Sequence, residues 1–283
     1  MNTNTIACID GSTHSDTVAD YAAWSAGRLG NSLVLLNVLD DMRSNDEADF
    51  SGNIGMNERQ RLLAELTELE EKRAKLARRQ GQMFLEAAKR HVENAFPEPS
   101  LRQRHGDLVD TLVELENEIR LLVIGRQGKR SGGVGDQIGH QVERVIRALH
   151  KPVWVVHEKF QVPKRIMIAY DHSKTAQKAV DMVAGSPLFR DIPVHVVMVG
   201  ADTGDHRAQL DGAAQKLIEQ GFTTETALVS GDVEEALNDY AVAHDMHALV
   251  MGAYGHSRIR EFFVGSHTNK LLSSSKIPLL LLR

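Results

Sequence analysis

The chain repeats itself. "TIACIDGSTHSDTVADYAAWSAGRLG" has a counterpart in "RIMIAYDHSKTAQKAVDMVAGSPLFR": a short apolar run, an Asp (Asp10, Asp171), a Ser two positions on (Ser12, Ser173), then a helical pattern. The correspondence continues in the same order. "NSLVLLNVLD" matches "IPVHVVMVGAD", "RHGDLVDTLVEL" matches "VSGDVEEALNDY", "LLVIGRQG" matches "ALVMGAYG", and "IGHQVERVIRALHKPVWVVHE" matches "VGSHTNKLLSSSKIPLLLLR". Similarity sustained over so many segments in one order requires the same fold twice.

The spacing between copies locates what differs. The first strand and its Asp recur about 160 positions later, but the final strand only about 125 later, so the first copy carries about 35 extra residues. That insertion falls within residues 42–99, and the join between copies lies near "EKFQVPKR", which predicts domains 1–160 and 161–283. In each copy, apolar runs such as "SLVLLNV" and "PVHVVMV" alternate with helical patterns, as strands buried on both faces by crossover helices do. The expected fold is α/β: two doubly wound domains, each with a parallel five-stranded sheet. Ligands in such sheets settle outside the carboxyl ends of the strands, where strand order reverses.

Composition narrows the function. Of the 283 residues, 42% are hydrophobic and 25% charged, the balance of a globular protein that stays in water. No apolar run approaches the roughly 20 residues that span a bilayer, and "MNTNTIACIDGS" has neither the basic start nor the apolar stretch of a signal peptide. A cytoplasmic protein without membrane partners is expected. A net charge of -5 without a basic domain argues against nucleic acid. The one cysteine, Cys8, lies within "TIACI" and is read as a small core side chain.

The segment that carries chemistry is "GAYGHSRIREFFVGS", residues 252–266, with glycines spaced G-x2-G-x9-G and a serine directly after. It follows the strand "ALVM", so it starts on the ligand edge. Gly252 and Gly255 are read as positive-φ positions that let the backbone approach a bulky anion, and Gly265 and Ser266 open a helix. The first-turn amides and the helix dipole suit a phosphate chain, with hydroxyls of Ser266 and Thr268 as further donors. Asp171 is placed to meet a ribose hydroxyl or a metal riding on the phosphates.

This stretch resembles the ATP-binding signature of the universal stress proteins, and "AYD", "SGDVEEAL" and "KIPLLLL" resemble that family's other landmarks in order. The resemblance covers both halves apart from the insertion. It implies an adenine nucleotide α-hydrolase-like fold in tandem and ATP, with Mg2+, as the ligand. It also implies phosphates at Gly252, Gly255, Gly265, Ser266 and Thr268, adenine near Ala169, Asp171 and Val199, and action through an unidentified protein partner in a stress response. Related domains dimerise through the last strand, so "KPVWVV" and "IPLLLLR" are expected to pair as an internal pseudo-dimer; association of two chains is left open.

The first copy departs from the signature. It keeps Gly125 and Gly128, but ten residues precede Gly139 and His140 replaces the serine, so its phosphate end is expected to be degenerate. Lys129 and Arg130 are read as solvated loop charges, and "GVGDQIG" begins too far beyond its strand for a dinucleotide fingerprint. The insertion "NERQRLLAELTELEEKRAKLARRQGQMFLEAAKRHVENAF" predicts a long helix. Its stripe of Leu62, Leu66, Leu69, Leu76, Met83 and Ala87, interrupted by Arg73 and Gln80, is expected to pack on its own domain. An arm projecting toward another subunit or protein is the other reading.

Thirteen histidines are scattered; even the pair His244 and His247 has only Asp245 nearby, so no metal site is expected. No residue pattern around the loop supplies a defensible catalytic base, since His256, Arg258 and Arg260 follow no motif, and turnover is not expected. A slow ATPase or phosphotransferase on the same site, or a nucleotide-free scaffold holding another small or lipid-like ligand between domains, are the rival readings.

Overall fold

The computed structural model describes residues 3–39, 56–128, 140–157, 159–253 and 266–283. The first half runs β1 (Asn4–Cys8), α1 (Ser15–Leu29), β2 (Leu33–Leu39), α2 (Met56–Val92), β3 (Ser100–His105), α3 (Leu108–Glu114), β4 (Ile119–Gly125), α4 (His140–Ala148) and β5 (Val153–Val156). The second half runs β6 (Ile166–Ala169), α5 (Lys174–Gly185), β7 (Val194–Val199), α6 (Gly204–Glu219), β8 (Thr224–Val229), α7 (Val233–Ala243), β9 (Ala248–Gly252), α8 (Ser266–Ser274) and β10 (Leu279–Leu282). Both halves are the expected doubly wound units. Their sheets are joined into one ten-stranded sheet ordered β3-β2-β1-β4-β5-β10-β9-β6-β7-β8.

The duplication extends to register and backbone. Thr5 pairs with Leu33 in the first half and Ile166 with Val194 in the second, the same step in both copies. Each opening Asp closes the same turn: Asp10 Oδ1 accepts from the Ser12 amide at 2.9 Å, and Asp171 Oδ1 from the Ser173 amide at 3.0 Å. The residue between takes a left-handed conformation in both, φ 73° at Gly11 and 60° at His172. In the "GD" pairs, Gly106 and Gly231 adopt φ 119° and 125°, and the following Asp107 and Asp232 cap α3 and α7 by accepting from first-turn amides. An uncapped helix start would leave those amides unpaired.

The halves meet where β5 and β10 pair antiparallel, Trp154 opposite Leu280. Side chains alternate across this seam into two layers. Trp154 and Leu280 face the layer packed by α1, α2, α5 and α6, while Val153, Val155, Leu279 and Leu281 face the layer packed by α3, α4, α7 and α8. Trp154 is fully buried, with Tyr21, Trp24 and Phe189 ring centroids at 5.3, 5.7 and 5.7 Å. Aromatic groups from both halves thus bury one face of the seam, a large apolar contribution. Main-chain acceptors of the second half bind arginines of the first: Arg28 Nε donates to Leu188 O at 3.1 Å, and an Arg126 amino group to Ser275 O at 3.0 Å.

The stripe of α2 does not pack as expected. Leu66, Leu69, Leu76 and Met83 are 38%, 56%, 65% and 63% exposed, whereas Leu85, Ala88 and Val92 are buried against β2 and α1. Among the described contacts, the helix meets its domain from Arg78 to its C-terminal end. The face it uses there, Gly81, Leu85, Ala88 and Val92, is rotated from the stripe by about one residue, roughly 100°.

Candidate functional site

In the second half the chain leaves β6 for β7 and β8 on one side, then returns to place β9 on the other. Strand order therefore reverses between β6 and β9, and the carboxyl ends of these strands are where sheets of this kind take ligands. Three of the residues singled out in the sequence are the last residues of their strands: Ala169 of β6, Val199 of β7 and Gly252 of β9. Ser266 is the first residue of α8. Because β9 and β10 are parallel, the crossover helix between them runs back along the sheet, and its N-terminus stands at the carboxyl edge.

Asp171 lies two residues beyond the end of β6. Its Oδ1 is used by the Ser173 amide, and the side chain is exposed. Ser173 in turn caps α5, its Oγ accepting from Ala176 N at 3.2 Å. His172, in its left-handed conformation, bonds Tyr170 Oη through Nδ1 at 3.1 Å and gives its carbonyl to Gln177. Burial pushes the Tyr170 phenol above its ordinary range, so it stays protonated near neutrality. A carboxylate held at a fixed angle beside a phenol and an imidazole suits hydroxyl-bearing ligands, and its free oxygen is of the kind a hard cation takes.

Gly252 is glycine for a different reason from the one expected. It does not take positive φ. A β-carbon there would lie 2.6 Å from Thr175 Cβ and 2.8 Å from the Thr175 carbonyl carbon, so β9 passes directly against the first turn of α5. Thr268, in the first turn of α8, is buried. Gly255 and Gly265 lie outside the described residues, as does the side chain of Ser266; so do Lys129, Arg130 and Gly139 of the first copy.

The first half offers an instructive contrast at the same edge. The inserted helix α2 passes the carboxyl ends of β2 and β3 at Gly81 and then packs along β2, β3 and α1. Phe84 lies flat on Gly11, with ring carbons 2.4–2.5 Å from where a β-carbon would stand. A β-carbon at Gly81 would lie 2.2 Å from Asn37 Oδ1 and 2.3 Å from Gln103 Nε2. Asn37 is tied to Ile9 O at 2.7 Å, and Gln103 donates to Arg78 O of α2 at 3.0 Å. Where the second copy leaves Asp171 exposed, the first sets the Phe84 ring of α2 against the turn after Asp10. Sequence reasoning missed this cover, although a lone glycine in a helical pattern, Gly81, was the available signal of close packing.

His195 and His244 pack with Tyr240. His195 Nδ1 meets Tyr240 Oη at 2.8 Å, and His244 stacks on Tyr240 with centroids 4.0 Å apart. Among the described residues no three His, Cys, Asp or Glu side chains stand together as metal ligands would, and no helix is long and apolar enough to cross a membrane.

Comparison with known proteins agrees with this architecture. The universal stress protein family matches residues 1–157 and again 163–283. Universal stress protein Slr1230 of Synechocystis is 34% identical over 285 residues, covering 99% of both chains. Among solved structures, a universal stress protein from Archaeoglobus fulgidus superposes with a TM-score of 0.71 at 17% identity, covering 100% of this chain and 99% of that one. A Pseudomonas aeruginosa protein of unknown function, PA1789, gives 0.60 at 14% identity, covering 99% and 92%. At those identities the two structures speak to the fold alone.

Proposed function

Since this chain belongs to the universal stress protein family, we propose that its second domain, residues 161–283, binds one adenine nucleotide, ATP with Mg2+, and that the bound state governs how the protein meets its partners in a stress response. The observation that carries this reading is the convergence of Ala169, Val199 and Gly252, each ending its strand, with the N-terminus of α8 at the point where strand order reverses. Phosphates fall to the loop from Gly252 through Gly255 to Gly265, Ser266 and Thr268, where main-chain amides and the helix dipole favour an anion. Adenine and ribose fall between Ala169, Asp171 and Val199, with the Asp171 carboxylate as hydroxyl acceptor or metal ligand.

The first domain, residues 1–160, takes no nucleotide in this reading. α2 lies over the corresponding edge, and the spacing of its glycines departs from the signature. Calorimetric titration with ATP and Mg2+ tests the assignment: binding is expected in the intact protein and lost in Gly265→Asp, whose carboxylate would repel phosphate. Heat unchanged by that substitution would contradict it.

A further inference from the structure

We propose that the outer part of α2 joins a second copy of the chain as an antiparallel two-helix coiled coil. From residue 60 to residue 80 the described side chains are exposed except for the half-buried Leu62 and Ala77, so this stretch is a helix with water on nearly every side. An isolated helix of that length is marginal in water, and apolar packing ordinarily supplies what it lacks. Leu62, Leu66, Leu69, Leu76 and Met83 lie four and three apart in alternation, with Arg73 and Gln80 filling the remaining places of the series. This is a heptad seam: Leu62, Leu69, Leu76 and Met83 at d, Leu66, Arg73 and Gln80 at a. Four of these five apolar side chains are among the exposed large hydrophobic groups of the described residues.

Charge selects the occupant and its direction. In a parallel pair Glu65 would face Glu70 and Arg73 would face Arg73 within the seam, both repulsive. In an antiparallel pair that sets Leu66 beside Leu69 of the second copy, Glu65 faces Lys72 on both sides of the two-fold. Arg73 then lies beside Leu62, where its aliphatic stem covers the leucine and its guanidinium reaches water. Sliding this pairing by one heptad either way sets Glu65 against Glu65 or Lys72 against Lys72. The favoured register also fits the body of the protein. It brings Met56 level with Arg79 of the second copy, an overlap of about 36 Å, which leaves Met83 outside the paired stretch and stops just short of Gly81, where each helix packs down on its own domain. Lys72 now bonds Glu68 of its own helix at 2.5 Å, with both side chains about two-thirds exposed. Such a surface pair is worth little and does not prevent a partner from engaging the same lysine.

Sedimentation equilibrium of the full chain at about 100 µM, well above the dissociation constant such a seam implies, is expected to give twice the chain mass. Lys72→Glu should weaken association about tenfold by turning two attractions into repulsions, Leu69→Glu should leave a monomer, and Glu65→Lys with Lys72→Glu should restore the dimer. Glu65, Leu69 and Lys72 are all exposed, and circular dichroism checks that each variant keeps its native fold. Mixing a Leu66→Cys chain with a Leu69→Cys chain should yield a heterodimeric disulfide, whereas a parallel pair would link like with like. A monomeric wild type, or a dimer indifferent to Lys72→Glu and Leu69→Glu, would overturn the proposal.

Discussion

The ring of Phe84 lies on Gly11 so closely that a β-carbon at residue 11 would stand 2.4 Å from its Cζ. The inserted helix and the turn after β1 therefore fit only with glycine at that position. Gly11 also has φ 73°, which costs any L side chain on the order of 1–2 kcal/mol by itself. Gly11→Ala is expected to lower unfolding free energy by about 2–4 kcal/mol in urea titrations. Adding Phe84→Gly to Gly11→Ala removes the collision but not the backbone strain, so the cost of Gly11→Ala in the Phe84→Gly background should fall to that of strain alone. An equal cost in both backgrounds would mean that Phe84 does not rest there.

Gly252 and Thr175 make the matching contact in the second domain. Gly252→Ala is expected to cost about 1–3 kcal/mol and to weaken nucleotide binding by shifting the loop that follows. Replacing Thr175 by Ala should not relieve it, because the β-carbon of residue 175 and the backbone behind it remain. Full stability in Gly252→Ala would show that β9 and α5 are not so close.

Much of this was legible beforehand, and the reasons differ by element. Repeated strands such as "SLVLLNV" and "PVHVVMV" predict paired parallel sheets because burial on both faces leaves no alternation. The Gly-Asp pairs Gly106–Asp107 and Gly231–Asp232 are legible as part of the repeat, while their role in capping α3 and α7 emerges only from the structure. The seat of α2 was not legible. Its apolar stripe and its packed face differ by one residue of rotation, and the stripe holds the larger leucines, so hydrophobicity alone chooses the wrong face. The packed face is marked instead by the small residues Gly81 and Ala88 with Phe84 and Leu85 between them. Gly252 was recognised as essential, but its need comes from a neighbour distant in sequence, Thr175.

The end of α2 is pinned to α1 by His91 Nε2 and Asp20 Oδ1, 2.9 Å apart. The hydrogen bond to Asp20 raises the His91 pKa above its ordinary 6.5, against a smaller opposing effect of burial. A histidine raised by folding stabilises fully below 6.5, and that contribution is lost as pH rises through the folded-state value. The stability difference between wild type and His91→Gln should therefore be largest in mild acid and fade as pH rises through the raised folded-state value. A difference that grows with pH would contradict this pairing.

Cys8 should be chemically quiet. The residue as a whole is half-buried, but its thiol is enclosed, and that burial, with the Asp10 charge nearby, pushes it up to about 12. At pH 8 about one thiol in ten thousand is then ionised. Alkylation of the native protein by iodoacetamide should be slower than that of the urea-unfolded chain by at least about a hundredfold. Equal rates would place Cys8 in solvent.

The capping aspartate Asp107 also receives Arg144, with an amino nitrogen 2.9 Å from Oδ2. Partial burial alone would raise its pKa, but Arg144 and the amides of Asp110 and Val109 outweigh it and hold the carboxyl below the usual range. A depressed carboxyl contributes stability above its unfolded pKa and loses it as pH falls through the folded value. Asp107→Ala should cost about 1–2 kcal/mol at neutral pH and progressively less in acid, as urea titrations at several pH values would reveal.

Native mass spectrometry of the full chain titrated with ATP and Mg2+ asks most directly whether one half of this doubled fold holds the ligand. One nucleotide per chain is expected at saturation, absent from Gly265→Asp and unaffected by Lys129→Ala. Two nucleotides per chain, or none, would contradict the assignment of a single site to the second domain.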